Sequence, residues 1–318
     1  MNLPTKLHFM IYCMALLGVL GQDPSVSDLG SKFTLVPFGK ADQQLIAFLE
    51  TSPKGQFWVV LIHGGAWQSG SGQDFVPAIR NMLGSSDFSD LRGFVTINYR
   101  LSGGQPPAQH PDHVMDAISG LNFFDKNIRN GTKYILLGQS AGGTMIFQMS
   151  MGEAALKAPP ATGRQSAESQ AQSCSDDPPP TAQAVNASQD MPKPEAMISL
   201  AGIHDLNGLV EEANDRFYDN FTEQAFGKDR GFWDQVSPAK FDGKYKDAWP
   251  GKSVVMLARS DQDELVFESQ LTVMQKRLST EGITPIVVGN LKGDHFKFET
   301  QVPPLIQQAL SALRAQKQ

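Results

Sequence analysis

Cysteine is nearly absent from this 318-residue chain. There are two, Cys13 in an apolar N-terminal stretch and Cys174 in a polar one. No disulfide framework, C-x-x-C pair or zinc-ligand spacing can be built from them. A basic stripe is lacking too. The 27 Lys and Arg against 33 Asp and Glu give a formal net charge of −6, which argues against a nucleic-acid binder. Long hydrophobic runs are missing: the one from Leu7 to Leu20 is too short for a comfortable membrane span. With Lys6 before it and Gly21-Gln22-Asp23-Pro24 after it, residues 1–22 resemble a secretory leader. Asn130, Asn186 and Asn220 each open a glycosylation triplet, a pattern that arises readily by chance. No internal repeat is evident. From about residue 157 to 194 large apolar side chains are almost absent, and Ala, Pro, Ser and Gln dominate around Pro178-Pro179-Pro180. Such a segment cannot bury enough surface to offset its ordering entropy, so a disordered surface insertion is expected there rather than a domain boundary.

What remains is ordinary for a soluble enzyme, 41% hydrophobic and 19% charged, with length for one large α/β domain or two small ones. Phe57 to Ile62 is a continuous apolar run rich in β-branched and aromatic residues, as in a strand buried on both faces. Phe94 to Tyr99, Tyr134 to Leu137, Met197 to Ala201, Ser253 to Ala258 and Thr284 to Val288 are further strand candidates, with shorter ones at Phe33 to Phe38 and Gln44 to Glu50. Helical spacing of apolar residues marks Asp74 to Leu83, Pro111 to Phe124, Ala141 to Met151, Val266 to Leu278 and Val302 to Leu313. This alternation predicts an α/β fold: a mostly parallel central sheet with helices on both faces, in one domain over 30–318.

Two motifs sit at the ends of predicted strands. Gly138-Gln139-Ser140-Ala141-Gly142 follows Tyr134 to Leu137 and matches the G-x-S-x-G nucleophile elbow. A serine at a sharp strand-to-helix turn has a strained backbone that lifts its hydroxyl above the sheet, and the flanking glycines relieve crowding. His63-Gly64-Gly65-Ala66-Trp67 follows Phe57 to Ile62 and matches the loop that supplies backbone N–H groups to an oxyanion. Gly64 and Gly65 are the expected donors, joined by the N–H of Ala141. His63 is expected to bond loop backbone rather than act as the base. Trp67 either lines the pocket or merely packs.

An α/β-hydrolase places its acid and then its histidine after the serine. The loop after Ser253 to Ala258 holds Asp261 and Asp263. Asp263 is the expected acid, because the chain then turns into a helix with Leu265 and Val266 as its first apolar anchors; Asp261 is the alternative. His295 is the one histidine downstream of that loop. Its neighbour Asp294 competes weakly for the acid role, since an adjacent residue rarely reaches the imidazole from the correct side. Ser140, Asp263 and His295 thus arrive in the order a nucleophile, an orienting acid and a general base require.

The motifs His63 to Trp67, Asn98-Tyr99-Arg100-Leu101-Ser102, His110-Pro111-Asp112-His113, Gly138 to Gly143, Asp263-Glu264-Leu265-Val266 and Gly293-Asp294-His295-Phe296 together resemble kynurenine formamidase (arylformamidase) of the fungal type. The resemblance covers roughly residues 30–155 and 195–318. Trp67 separates it from esterases that carry a third glycine, and Gln139 stands where the family often has histidine. The resemblance implies Ser140, Asp263 and His295 as catalytic residues, and hydrolysis of N-formyl-L-kynurenine to L-kynurenine and formate. It implies no metal or cofactor, a homodimer, and a cytoplasmic setting, against which the leader-like segment points to secretion. A carboxylesterase of the hormone-sensitive-lipase-like kind would use the same triad on short acyl esters. A non-catalytic binding protein on this fold usually lacks a triad member, and none is missing here.

Overall fold

The computed structural model describes residues 29–105, 107–160 and 191–316. The leader-like segment 1–22 and residues 161–190 of the Pro/Ser-rich stretch lie outside the described residues. Among the described residues no helix is long and apolar enough to cross a membrane.

One eight-stranded sheet organises the chain, in the order β1-β2-β4-β3-β5-β6-β7-β8. The strands are β1 (Thr34–Pro37), β2 (Leu45–Glu50), β3 (Phe57–Ile62), β4 (Leu91–Ile97), β5 (Lys133–Gln139), β6 (Ala196–Leu200), β7 (Val254–Ser260) and β8 (Ile286–Leu291). β1 and β2 pair antiparallel with each other, and β2 pairs antiparallel with β4. Every pairing from β4 across to β8 is parallel. This is the mostly parallel sheet expected from the alternation of apolar runs.

β3 shows why those runs are continuous. Trp58, Val60 and Ile62 enter the core on one face, whereas Phe57, Val59 and Leu61 enter the core on the other. All six side chains are buried, because helices cover both sides. On the second face lie α1 (Val76–Met82) and, at the far end of the chain, α8 (Phe298–Ala315). On the first face lie α2 (Asp112–Phe124), α3 (Ala141–Met151), α4 (Leu206–Ala213), α5 (Arg216–Phe226), α6 (Arg230–Val236) and α7 (Glu268–Ser279).

Some boundaries differ from the sequence expectation for identifiable reasons. β8 starts at Ile286, not Thr284, since Pro285 has no N–H for the ladder. β4 ends at Ile97; Asn98 just beyond it still donates its N–H to Leu45 of β2 at 3.0 Å, and its side-chain oxygen accepts the Gly72 N–H at 2.7 Å. α8 begins four residues before Val302, with Pro303 and Pro304 inside it. Pro303 cannot donate to the Glu299 carbonyl; the Asn81 side-chain amide does so instead, at 2.9 Å. Helices α4, α5 and α6 were not expected. Each is capped by an aspartate, Asp205, Asp215 and Asp229, whose carboxylate accepts backbone N–H bonds of the first turn.

Candidate active site

The loops that follow β3, β5, β7 and β8 all leave the sheet at its carboxyl edge, where α/β folds hold their ligands. These loops carry the predicted site residues.

Ser140 lies between β5 and α3 with φ 53° and ψ −119°. That backbone is unfavourable for any side chain but glycine and costs of the order of 1–3 kcal/mol. The turn is enforced from both sides. A Cβ on Gly138 would stand 2.2 Å from the Gly142 carbonyl oxygen, and one on Gly142 would stand 2.2 Å from that of Ile62. Strand, helix and the neighbouring β3 therefore meet at a separation only glycine permits. The Ser140 N–H donates to the Leu200 carbonyl at 2.9 Å, tying the elbow to β6.

His295 is buried beside it. Its Nδ1 donates to Asp263 Oδ2 at 2.9 Å, and its own N–H donates to Glu264 Oε2 at 3.3 Å. The other Asp263 oxygen accepts the N–H groups of Leu265 and Val266, both at 2.9 Å. Leu265 and Val266 are thus not the start of a helix, as expected; α7 opens at Glu268, and these two residues form a turn that cradles the carboxylate. Arg259 braces the loop by donating to the carbonyls of Val266 (2.7 Å) and Asp263 (2.8 Å). Burial pushes the Asp263 carboxyl up, but the His295 ring and the two N–H groups outweigh it and hold it below the usual carboxylate range. Burial likewise pushes His295 down, and Asp263 with Glu264 and Asp294 brings it above the ordinary imidazole value. Asp261, the alternative acid, is a surface residue paired with Lys292. Asp294 is spent on the Phe296 N–H, at 3.0 Å.

The loop after β3 is built to fix one peptide plane. His63 Nδ1 donates to the Gly64 carbonyl at 2.9 Å, and the Tyr99 hydroxyl reaches the carbonyls of His63 and Gly64, each at 3.1 Å. The His63 and Tyr99 rings stack at 4.2 Å. Because carbonyl and N–H are antiparallel across a trans peptide, holding the Gly64 oxygen inward turns the Gly65 N–H outward. Gly65, Ala66 and Trp67 all have positive φ, 93°, 53° and 59°. His63 is buried, with a pKa pushed down by that burial to about 4, which fits a neutral structural histidine.

Gly65, Ala66, Ser140 and His295 border one narrow cleft. Gly64 stands behind it, over the Gln139 side chain. The opposite walls are apolar and aromatic: Leu209 of α4, Phe217, Tyr218 and Phe221 of α5, and Phe296. Trp67 is not a wall. It is wholly buried, edge-on to Phe226 at 4.8 Å and against Phe221 at 6.3 Å, so it supports the wall from behind. Sequence reading missed both α5 and the role of Gln139. For α5 a signal was present, in the Asp215 cap and the Phe217/Phe221 spacing. For Gln139 none was, because the middle position of the elbow tolerates many residues. Among the described residues no group of His, Cys, Asp or Glu is arranged to hold a metal ion.

The BD-FAE family model matches residues 48–278. A kynurenine formamidase-like hydrolase of Fusarium equiseti is 28% identical over 244 residues, 71% of each chain. A kynurenine formamidase of Aspergillus versicolor is 30% identical over 242 residues, 68% of this chain and 74% of the relative. Among solved structures, esterase B of Lactobacillus rhamnosis superposes with a TM-score of 0.63 at 14% identity, covering 98% of this chain and 94% of that one. A hormone-sensitive lipase from a metagenome library gives 0.58 at 14% identity, over 98% and 97%. At that identity these likenesses speak to the fold. The chain belongs to the BD-FAE family, a hydrolase of the α/β-hydrolase fold related over most of its length to the kynurenine formamidases of fungi.

Proposed function

We propose that this hydrolase is an arylformamidase that converts N-formyl-L-kynurenine to L-kynurenine and formate. The observation that carries the reading is one cleft that joins a strained serine, an Asp263-oriented histidine and an aromatic wall. Ser140 is the nucleophile, His295 the general base and acid, and Asp263 the group that fixes the His295 tautomer.

In the acylation step His295 Nε2 takes the Ser140 proton as Oγ bonds to the formyl carbon. The N–H groups of Gly65 and Ala141, with Gly64 and Ala66 completing the loop, stabilise the oxyanion. The carbon–nitrogen bond then breaks, and the imidazolium returns its proton to the leaving aryl nitrogen. Water, deprotonated by His295, attacks the formyl ester on Ser140; formate departs and Oγ recovers the proton. The formyl carbon is small, so attack in a narrow cleft is unhindered. The aryl ring of the substrate is suited to Phe217, Phe221 and Phe296. The steps as written use no metal and no organic cofactor.

The test is a comparison of kcat/KM for N-formyl-L-kynurenine and p-nitrophenyl acetate, in the wild type and Ser140→Ala. The formamide should be strongly preferred, and Ser140→Ala should abolish both activities. Equal or reversed preference would assign the chain to the esterases; activity surviving Ser140→Ala would reject the mechanism.

A further inference from the structure

Gln139, the last residue of β5, does something the mechanism above leaves unassigned. Its side chain is buried, and its Nε2 lies 3.0 Å from His295 Nε2 and 3.3 Å from the His295 carbonyl oxygen. His295 Nδ1 already donates to Asp263, so Nε2 carries the lone pair and the amide is the donor. The orientation of the amide is fixed by the His295 carbonyl: turning it over would set oxygen against oxygen. The other end of the amide fills the space above Gly64, 2.2 Å from where a Cβ on that residue would stand.

We infer that Gln139 is a positioning residue that keeps His295 Nε2 unprotonated at rest and makes the imidazolium formed in turnover a stronger acid, which favours a substrate with a poor nitrogen leaving group over an ester. The inference rests on the reading of Ser140 as nucleophile and His295 as base. A hydrogen bond donated to the neutral form of a base disfavours its charged form. To accept the Ser140 proton Nε2 must release the Gln139 hydrogen bond, and the new N–H then lies beside the amide N–H of Gln139, donor against donor. The proton is thereby urged onward to the leaving group. An aryl amine cannot depart as its anion and needs that proton. A nitrophenolate departs without it.

The groups that face His295 are known. Asp263 holds Nδ1, Glu264 accepts the backbone N–H, and Asp294 stands in the same loop. Across the cleft is Tyr218, whose hydroxyl donates to the Leu265 carbonyl and is kept neutral by burial and by Asp263 and Glu264. The three carboxylates raise the His295 pKa, and Gln139 opposes them. Without the amide the imidazolium should persist to higher pH.

The experiment measures kcat/KM against pH for the wild type, Gln139→Met and Gln139→Glu, each on N-formyl-L-kynurenine and on p-nitrophenyl acetate. Methionine keeps the volume and removes the donor; glutamate keeps the shape and offers an acceptor to the imidazolium. The acid limb should move up by about 0.5–1 pH unit in Gln139→Met and further in Gln139→Glu. The ratio of formamide to ester activity should fall at least about threefold in Gln139→Met. A limb within about 0.2 unit of wild type in both variants, with equal loss on both substrates, would reduce Gln139 to packing and overturn the inference. If the wild type hydrolyses the ester and not the formamide, the formamidase reading fails, and the limb measured on the ester still decides the role of Gln139.

Discussion

Replacing Asp263 by asparagine changes one atom of the site and should remove nearly all of its activity. Asp263 Oδ1 accepts two backbone N–H groups, and an asparagine carbonyl can keep both bonds. The other position becomes an NH2 facing His295 Nδ1 across 2.9 Å. Two donors cannot share that contact, and a proton moved to Nε2 meets a donor again in the Gln139 amide, so neither neutral tautomer of the ring is satisfied. The ring loses the fixed orientation and tautomer that let Nε2 act as the base toward Ser140. Wrong-tautomer substitutions of this kind cost about 10⁴ in turnover, or about 5 kcal/mol of barrier. Folding should lose far less, about 1.5–3 kcal/mol for one charge-assisted bond, a shift of roughly 2–5 °C in Tm for a chain of this size. Asp263→Ala should be worse for the fold, because it strands two buried N–H groups as well. Asp261→Asn is the control: its partner Lys292 has a side chain 69% exposed, and such surface pairs contribute about 0–1 kcal/mol. The assay is steady-state turnover on N-formyl-L-kynurenine with a thermal melt of the same preparations. More than about one-tenth of wild-type activity in Asp263→Asn, or a collapse in Asp261→Asn, would refute the assignment of the acid.

Two more perturbations follow from buried groups outside the chemistry. His63, His110 and His204 are pushed by burial to about 4 and His113 to about 3, so the unfolded chain takes up their protons first as pH falls below 6.5. Stability present above that pH should be lost through the window from 6.5 to 4, by about 2 kcal/mol per histidine at pH 5. Asp74, pushed up by burial to about 6, and His295, raised by its carboxylates, return part of this. Urea unfolding at pH 5 and pH 7.5 should therefore differ by about 5 kcal/mol, and equal midpoints would show that these histidines titrate normally. At Trp67, whose φ is 59°, glycine should be better tolerated than alanine, by about 1 kcal/mol, against the usual order. Both variants lose the same packing on Phe221 and Phe226, so a thermal melt in which Trp67→Ala is the more stable would contradict the strain.

The placement of Ser140, Asp263 and His295 was more legible in the sequence than the cleft around them. Ser140 could be read because an elbow needs glycine at fixed offsets and an apolar strand before it. His295 could be read because chain order leaves one candidate. Asp263 was chosen for a helix start that is not there; its real support is the turn through Leu265 and Val266, whose N–H groups converge on the carboxylate. A loop in which several aspartates could turn gives no pattern from which to deduce that convergence. β8 was harder to place than β3, since an edge strand has one buried face and alternates, whereas β3 is apolar throughout. Helices α4 to α6 escaped because their apolar residues are spaced over short elements broken by Asn214 and Gly227. The Asp205, Asp215 and Asp229 caps are the signal that would have located them.

That asymmetry has a consequence for specificity. Ser140, His295 and the Gly65 peptide are held by the sheet edge and by bonds that any substrate would use alike. The aromatic wall comes from α5, and its rear support from Trp67, in contact with Phe221. A relative with the same His-Gly-Gly-x-Trp and Gly-x-Ser-x-Gly motifs can therefore carry a different wall through changes in residues 206–226, which supply Leu209, Phe217, Tyr218 and Phe221. Trp67 couples the two regions. It continues the loop that presents the Gly65 N–H, and its ring rests on the helix that faces the substrate. A glycine at that position would leave the loop intact and α5 unsupported. If the arylformamidase proposal holds, the tryptophan would favour a ring-bearing substrate by setting the position of Phe221, without touching the substrate itself.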